Sequence, residues 1–330
     1  MTDSFSPTPD APPAGLTLAE SYAWCRSLSR RTARNFYYSF LTLSADRFRA
    51  MCVLYAFMRI TDDLGDNDRP PADRAADLVA WRAHLTAACR GAAPATFAHP
   101  VLPALSDVVT RYQIPVEYLA AVITGVEMDL HPVAVESFGE LSRYCYHVAG
   151  AVGLACIHLW GFHDGRALPA AVDCGTAFQL TNILRDVRED AALGRVYVPC
   201  EDLVRFGCTP AELAAGLPGE RFVDLMQFEI ARAREYYTRA HALFDYLDPP
   251  GQPILETMIG IYGGLLDAIE CRPLDVLSRR VRLSRFRKLS LAARAIARHK
   301  YRTWFGRQQA GPGRPAGLCD QEIRENGNKL

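Results

Sequence analysis

Gln179-Leu-Thr-Asn-Ile-Leu-Arg-Asp-Val-Arg-Glu-Asp190 reads as a helix carrying one polar stripe. Gln179, Asn182, Asp186 and Asp190 recur at spacings of three and four, so they share a face, with Phe178, Leu180 and Ile183 off it. Four oxygen-bearing side chains in line are hard to explain as surface decoration. A second stretch, Arg59-Ile-Thr-Asp-Asp-Leu-Gly-Asp66, sets Asp62 and Asp66 four residues apart at the end of the apolar run Met51–Met58. Like charges that close destabilise one another, so two such pairs suggest a cation between them. Hard carboxylate oxygens suit Mg²⁺, which takes one or two protein carboxylates, waters and phosphate oxygens. A lone D-x-x-x-D is more often a solvated acidic face; the buried run before the first pair and the stripe around the second raise the signal here. Arg59, one turn before Asp62, suits either a structural ion pair or a phosphate contact.

Working outward, the rest of the chain is helical in pattern. Apolar residues recur at three and four spacing over 46–62, 72–90, 102–130, 168–190, 220–247 and 252–271. Breaks fall at Asp68-Arg-Pro-Pro71, Gly91 to Pro103, His131-Pro132, Gly161 to Gly165 and Pro249-Pro-Gly251, with Ser106, Ser137 and Thr209 as candidate N-caps. Only Arg195-Val-Tyr-Val-Pro199 looks extended, and no sheet is expected, so the fold class is all-α. Tyr144 to His163 is twenty residues without a formal charge. That touches membrane-span length, but its histidines, glycines and tyrosines favour a buried helix, with Gly150 and Gly153 admitting a close neighbour. Residues 1–15 read as a disordered, Pro-rich leader, 16–307 as one domain and 308–330 as a loose tail.

Lys plus Arg and Asp plus Glu balance at 37 each, which argues neither for nor against nucleic acid, and none is expected among the partners. Ten cysteines without a C-x-x-C, and no signal peptide, suggest free thiols in the cytoplasm. Residues 272–307 hold twelve Lys or Arg against one acid, Asp275, interleaved with apolar residues. Such a segment is either a basic amphipathic helix able to make peripheral contact with an anionic membrane, or a solvated last helix. There is no H-E-x-x-H, P-loop or dinucleotide fingerprint. Gly260-Ile-Tyr-Gly-Gly264 reads as helix packing, and His147 and His158 as core residues.

Six stretches in order resemble the squalene and phytoene synthases, head-to-head trans-isoprenyl diphosphate synthases: Asn35–Phe40, Leu54–Asp66, Gly125–Leu130, Tyr144–Gly153, Gln179–Asp190 with Gly194–Pro199, and Tyr262–Asp267. They cover roughly residues 20–290. The resemblance implies a helical isoprenoid-synthase bundle around a central apolar cavity, with the two aspartate motifs facing across its mouth. It implies Mg²⁺ held by Asp62, Asp66, Asp186 and Asp190 with Asn182 assisting, and diphosphate contacts from Tyr55, Arg59, Gln179, Asn182, Tyr262 and Arg280. Tyr144 would face the reacting carbons. The implied reaction ionises one prenyl diphosphate, adds the double bond of a second, and closes a cyclopropane on proton loss. Arg34 and Asn35 stand where many relatives carry diphosphate-seating serines.

The wording Asn-Phe-Tyr-Tyr-Ser-Phe resembles bacterial presqualene diphosphate synthases, which favours two farnesyl diphosphates as substrates, with geranylgeranyl diphosphate and phytoene the alternative. Phe40 and Cys52 are candidates for the cavity floor. NADPH use and oligomeric state stay open. A relative serving as a non-enzymatic assembly factor would have lost the acidic motifs, which are intact here. A head-to-tail synthase or terpene cyclase would lack the Tyr144–Gly153 block.

Overall fold

The computed structural model describes residues 15–33, 36–91, 97–217, 219 and 221–309. The leader expected over 1–15, Arg34 and Asn35, and the tail beyond Gln309 fall outside them, apart from Gly15. Helices account for nearly all of the regular structure. In chain order they are α1 (Leu18–Thr32), α2 (Phe36–Phe40), α3 (Ala45–Gly65), α4 (Pro71–Cys89), α5 (Leu102–Arg111), α6 (Val116–Met128), α7 (Phe138–Cys145) and α8 (Ala151–Trp160). There follow α9 (Ala167–Ala192), α10 (Cys200–Phe206), α11 (Pro210–Ala215), α12 (Phe222–Ala240), α13 (Leu243–Tyr246), α14 (Gln252–Cys271) and α15 (Arg285–Gln309).

Local chemistry sets many of the boundaries. Thr17 and Thr209 close capping boxes with Glu20 and Glu212, and Ser137 accepts from the Glu140 amide at the start of α7. Ser106 is no cap. It lies inside α5, where its hydroxyl donates to the Ala88 carbonyl, because Pro103 already fits the first turn of that helix. The single helix expected over 102–130 is two: Gln113 takes φ 51° and Pro115, which lacks an amide proton, starts a new helix. Arg195–Val196 pairs in parallel with Val133–Ala134, a two-residue ladder where no sheet was expected. Its consequence is local: it brings the end of α6 beside Tyr197.

Two clusters of buried apolar residues make the core. One fills the space among α1, α3, α4, α5, α6 and α8, the other that among α7, α9, α12 and α14, and Phe178 and Ile259 pack against both. The uncharged stretch 144–163 is buried as expected, though not as one α-helix. A π-helical turn, Tyr146–Gly150, joins α7 to α8, and such turns cluster at functional sites. Helix α9 approaches it so closely that a Cβ on Gly175 would lie 2.4 Å from the Ala149 carbonyl oxygen, and one on Gly153 2.8 Å from that of Ala171. His147 and His158 are half-buried rather than core. The nine cysteines among the described residues are all free. No described helix is long and apolar enough to cross a membrane.

Candidate active site

The last turns of α3 present Tyr55, Arg59 and Asp62, and Asp66 caps the helix. The phase of this helix is fixed from behind: buried Trp81 donates from Nε1 to the Thr61 hydroxyl at 2.9 Å and stacks on Phe57. Asp62 therefore turns away from α4, into a recess that water still enters. The surrounding protein and the neighbouring Asp66 push its carboxyl up to about 7, against the opposing pull of Arg59. Arg59 itself pairs with Asp63 at 2.5 Å, not with Asp62. Tyr55 is half-buried, hydrogen-bonded to Thr32 and edge-on to Phe40.

On α9 the polar stripe exists as read. The Asn182 amide donates to Gln179 Oε1 at 3.3 Å, and the Asn182 side chain hydrogen-bonds the hydroxyl of Tyr262. Tyr262, buried and stacked on Phe178 with centroids 4.4 Å apart, is pushed up to about 12 by its burial. Asp186 is gripped by two guanidinium groups: Arg185 Nε donates to Oδ1 and Arg280 Nη2 to Oδ2, both at 2.8 Å. Arg280, read as a diphosphate contact, meets a carboxylate of the second motif. Asp190, one turn on, has no such partner among the described residues. Burial and Asp186 push it up to about 7, against Arg195.

Between the motifs stands a residue that the spacing argument passed over. Asp129, at the end of α6, accepts from the Tyr144 hydroxyl at 2.9 Å and from the Tyr197 hydroxyl at 2.7 Å. The two phenol rings stack with centroids 4.7 Å apart and planes at 22°. Burial raises Asp129 against the pull of both phenols and of Arg195. Burial, and next the Asp129 charge, hold Tyr144 well above the ordinary tyrosine range. Arg195 Nη2 reaches Asp66 at 3.2 Å and the Asp129 carbonyl at 3.3 Å. Asp129 raises both Asp62 and Asp190 in turn. The two aspartate pairs thus face one neighbourhood, with Asp129, Tyr144, Tyr197 and Arg195 between them.

Beside the second motif opens a cleft of about 920 Å³. Arg30 and Arg31 reach it from α1, Arg185 and Arg280 from around Asp186, and Arg282, Arg285 and Lys288 from the entry to α15. Tyr37 and four aliphatic residues, Ile261 among them, also line it, and there is no acid among the described lining residues. Seven cations around one cavity are a charge pattern for a polyanion.

The donor set fits Mg²⁺. Asp62 and Asp190 offer hard carboxylate oxygens, and a divalent cation between the pairs would relieve repulsion already present. Among the described residues no three Asp, Glu, His or Cys side chains converge closely enough to hold an ion alone. Arg34 and Asn35 lie outside the described residues.

A helical bundle carrying two aspartate pairs at one mouth is the isoprenoid-synthase architecture. Comparison with known proteins narrows the class: residues 29–287 match the squalene/phytoene synthase family, and the chain belongs to that family of prenyltransferases. It is 33% identical over 289 residues to the phytoene synthase of Arthrospira platensis, covering 83% of this chain and 91% of that one. The 15-cis-phytoene synthase of Synechocystis is also 33% identical, over 295 residues and 86% of each chain. Among solved structures, a dehydrosqualene synthase bound to a ligand superposes with a TM-score of 0.76 at 28% identity, covering 86% of this chain and 98% of that one. The squalene synthase HpnC of Alicyclobacillus acidocaldarius gives 0.72 at 27%, over 77% of this chain and 95% of its own.

Proposed function

We propose that this chain joins two allylic prenyl diphosphates head to head into a cyclopropyl diphosphate, with two geranylgeranyl diphosphates as substrates and phytoene as the end product. The observation that carries the reaction is the meeting of both aspartate pairs around Asp129, Tyr144 and Arg195, next to a cleft lined by seven cations. The C20 substrate is favoured because the relatives at 33% identity are phytoene synthases. The squalene-type solved structures at 28% and 27% keep farnesyl diphosphate as the second reading, the one that the Asn35–Phe40 wording favours.

Asp62, Asp66, Asp186 and Asp190, with Asn182, would hold Mg²⁺, which when bound supplies Lewis-acid stabilisation of the leaving diphosphate and a template for both substrates. An incoming diphosphate offers Arg185 and Arg280 a doubly charged partner, which frees Asp186 from its two guanidinium contacts. Gln179, Arg59 and Tyr55 would steady the second diphosphate, and Tyr262, fixed on Phe178, would hold Asn182 in register. Stacked Tyr144 and Tyr197 present aromatic faces to a carbocation while excluding water from it. The proton lost on ring closure passes to the leaving diphosphate or to the Tyr144 oxygen. In the latter case the Tyr144 hydroxyl proton moves to Asp129 Oδ2, so no phenol gains a charge. NADPH is not needed for phytoene.

The experiment is a competition. Purified protein with Mg²⁺ is offered equal farnesyl and geranylgeranyl diphosphate, and products are read by mass spectrometry with and without NADPH. Phytoene as the main product supports the reading; presqualene diphosphate or squalene as the main product overturns the C20 assignment and leaves the family reaction intact.

A further inference from the structure

The structure assigns Arg74, on α4, as a positioning residue for the first aspartate pair. Among the described residues Arg74 makes no ion pair; its Nη1 donates instead to the carbonyl of Gly65. That carbonyl belongs to the same peptide unit as the Asp66 amide, which donates to the Asp62 carbonyl at 2.9 Å. The peptide between the two halves of the motif is therefore pinned at both ends, its N–H by Asp62 and its C=O by Arg74. A peptide moves as a rigid plane, and beside a glycine it turns easily. Held by Arg74, it cannot make the turn that would swing the Asp66 carboxylate off the side it shares with Asp62. Asn67 completes this helix end, its side-chain amide donating to the Leu64 carbonyl at 2.9 Å and to that of Asp63 at 3.3 Å.

The neighbours of Arg74 tie the same helix end to α6. Arg74, Leu78, Trp81 and Arg82 lie along one side of α4 at helical spacing. Trp81 holds Thr61 of α3. Arg82 reaches α6, donating to the Ala120 carbonyl at 3.1 Å, the Thr124 hydroxyl at 3.0 Å and the Glu127 carboxylate at 2.8 Å. Helices α3 and α6 approach so closely here that a Cβ on Gly65 would lie 2.2 Å from Val126 Cγ1. One side of α4 thus registers Asp62 and Asp66 against Asp129, at the end of α6. The arrangement has a cost at Arg74, whose Nε is buried with no hydrogen-bond partner among the described residues, a destabilising state for a polar atom. For stability alone an unbranched aliphatic chain would serve as well; what it could not do is hold the Gly65 carbonyl.

This role rests on Asp62 and Asp66 being metal ligands, a reading that the same titration checks on its own. The full chain is loaded with farnesyl thio-diphosphate, which is short enough for a C15 or a C20 cavity. Mn²⁺ is then titrated in and the free-ion EPR signal read, for the parent and for Arg74→Met, Asp66→Ala and Ser106→Ala. Arg74→Met should weaken Mn²⁺ binding roughly tenfold or more, as loss of a group that orients a ligand does. Its urea midpoint should stay close to the parent's, because the unpaired Nε goes with the carbonyl contact. In turnover the Mg²⁺ needed for half-maximal rate should rise by the same factor, with kcat at saturating Mg²⁺ nearly unchanged. Ser106→Ala deletes a bond of the same kind at the other end of α4, to the Ala88 carbonyl; it should lower the midpoint and leave Mn²⁺ affinity alone. Affinity unchanged in Arg74→Met, a loss that only tracks a lowered midpoint, or an equal loss in Ser106→Ala would overturn the role. Absence of Mn²⁺ binding by the parent, or full binding by Asp66→Ala, would instead sink the metal reading of the motif, and Arg74's part in it with it.

Discussion

Lowering the pH from about 8 to about 6 should strip this site of its affinity for a magnesium-bound diphosphate, through two named carboxyls. Asp62 and Asp190 are each pushed up to about 7, first by burial and then by the neighbouring aspartate of the same motif. A raised carboxyl is neutral below its pKa and cannot ligate a hard cation, so binding strengthens as pH rises through about 7 and is lost as it falls. At about pH 8 roughly nine in ten of such groups are ionised, and at about pH 6 roughly one in ten, a tenfold loss for each. Water reaches Asp62 and draws its value back towards normal, so Asp190, half-buried, carries the surer share. The expected loss is therefore between roughly tenfold and a hundredfold. Calorimetric titration of a non-ionising thio-diphosphate analogue with Mg²⁺, in two buffers of different ionisation heat, reads both affinity and protons released. Asp190→Asn should remove about one tenfold step and its proton, which separates the protein from the ionisation of the ligand. The metal-free protein should in parallel lose stability as pH rises through about 7, where the buried charges form, and regain it with Mg²⁺. An affinity flat from pH 6 to 8, with equal proton release in the parent and in Asp190→Asn, would show that neither carboxyl is raised and that neither gates the binding of the metal.

Other consequences are as specific. Gly175→Ala drives a methyl group into the Ala149 carbonyl and the Gly150 amide, backbone atoms with no room to yield; a cost of about 3 kcal/mol or more is expected by urea denaturation, with activity falling as α9 shifts. Asp129→Asn keeps the shape but leaves one oxygen to accept from two phenols, so kcat should drop roughly tenfold to a hundredfold with KM little changed, against a smaller effect for Tyr197→Phe. An unchanged kcat would remove Asp129 from the chemistry. Phe40 is buried and edge-on to Tyr55, so Phe40→Ala should lengthen the accepted substrate; an unchanged product spectrum would take Phe40 off the cavity floor.

How far the sequence could be read depended on whether a signal was local. Asp62 with Asp66, and the stripe from Gln179 to Asp190, are visible because helical spacing alone puts them on one face. Asp129 was invisible to that logic: a single acid acquires meaning only when the Val133–Arg195 pairing carries Tyr197 to it. The extended run Arg195–Pro199 was the available clue, but one strand does not name its partner. Arg185 lies inside the motif, but helical spacing marks out only its acids. Arg30, Arg31 and Lys288 converge on the cleft from opposite ends of the chain, which no spacing rule anticipates. The break at Gln113 was legible in hindsight, since Ile114-Pro115 already bars a continuous helix there.

Two aspartate pairs acting at one mouth are expected to make a 1–1′ linkage, and that linkage can be read directly. Prenyl diphosphate labelled with ¹³C at C1 is turned over with Mg²⁺, and the product is read by carbon NMR. A single enriched olefinic resonance, from two equivalent C1 carbons now joined at the centre of a symmetric product, is expected from the parent protein, with product formation abolished in both Asp62→Ala and Asp186→Ala. Label divided between an aliphatic methylene and a carbon still bearing diphosphate, the mark of head-to-tail addition, or product still formed by either aspartate variant, would contradict it.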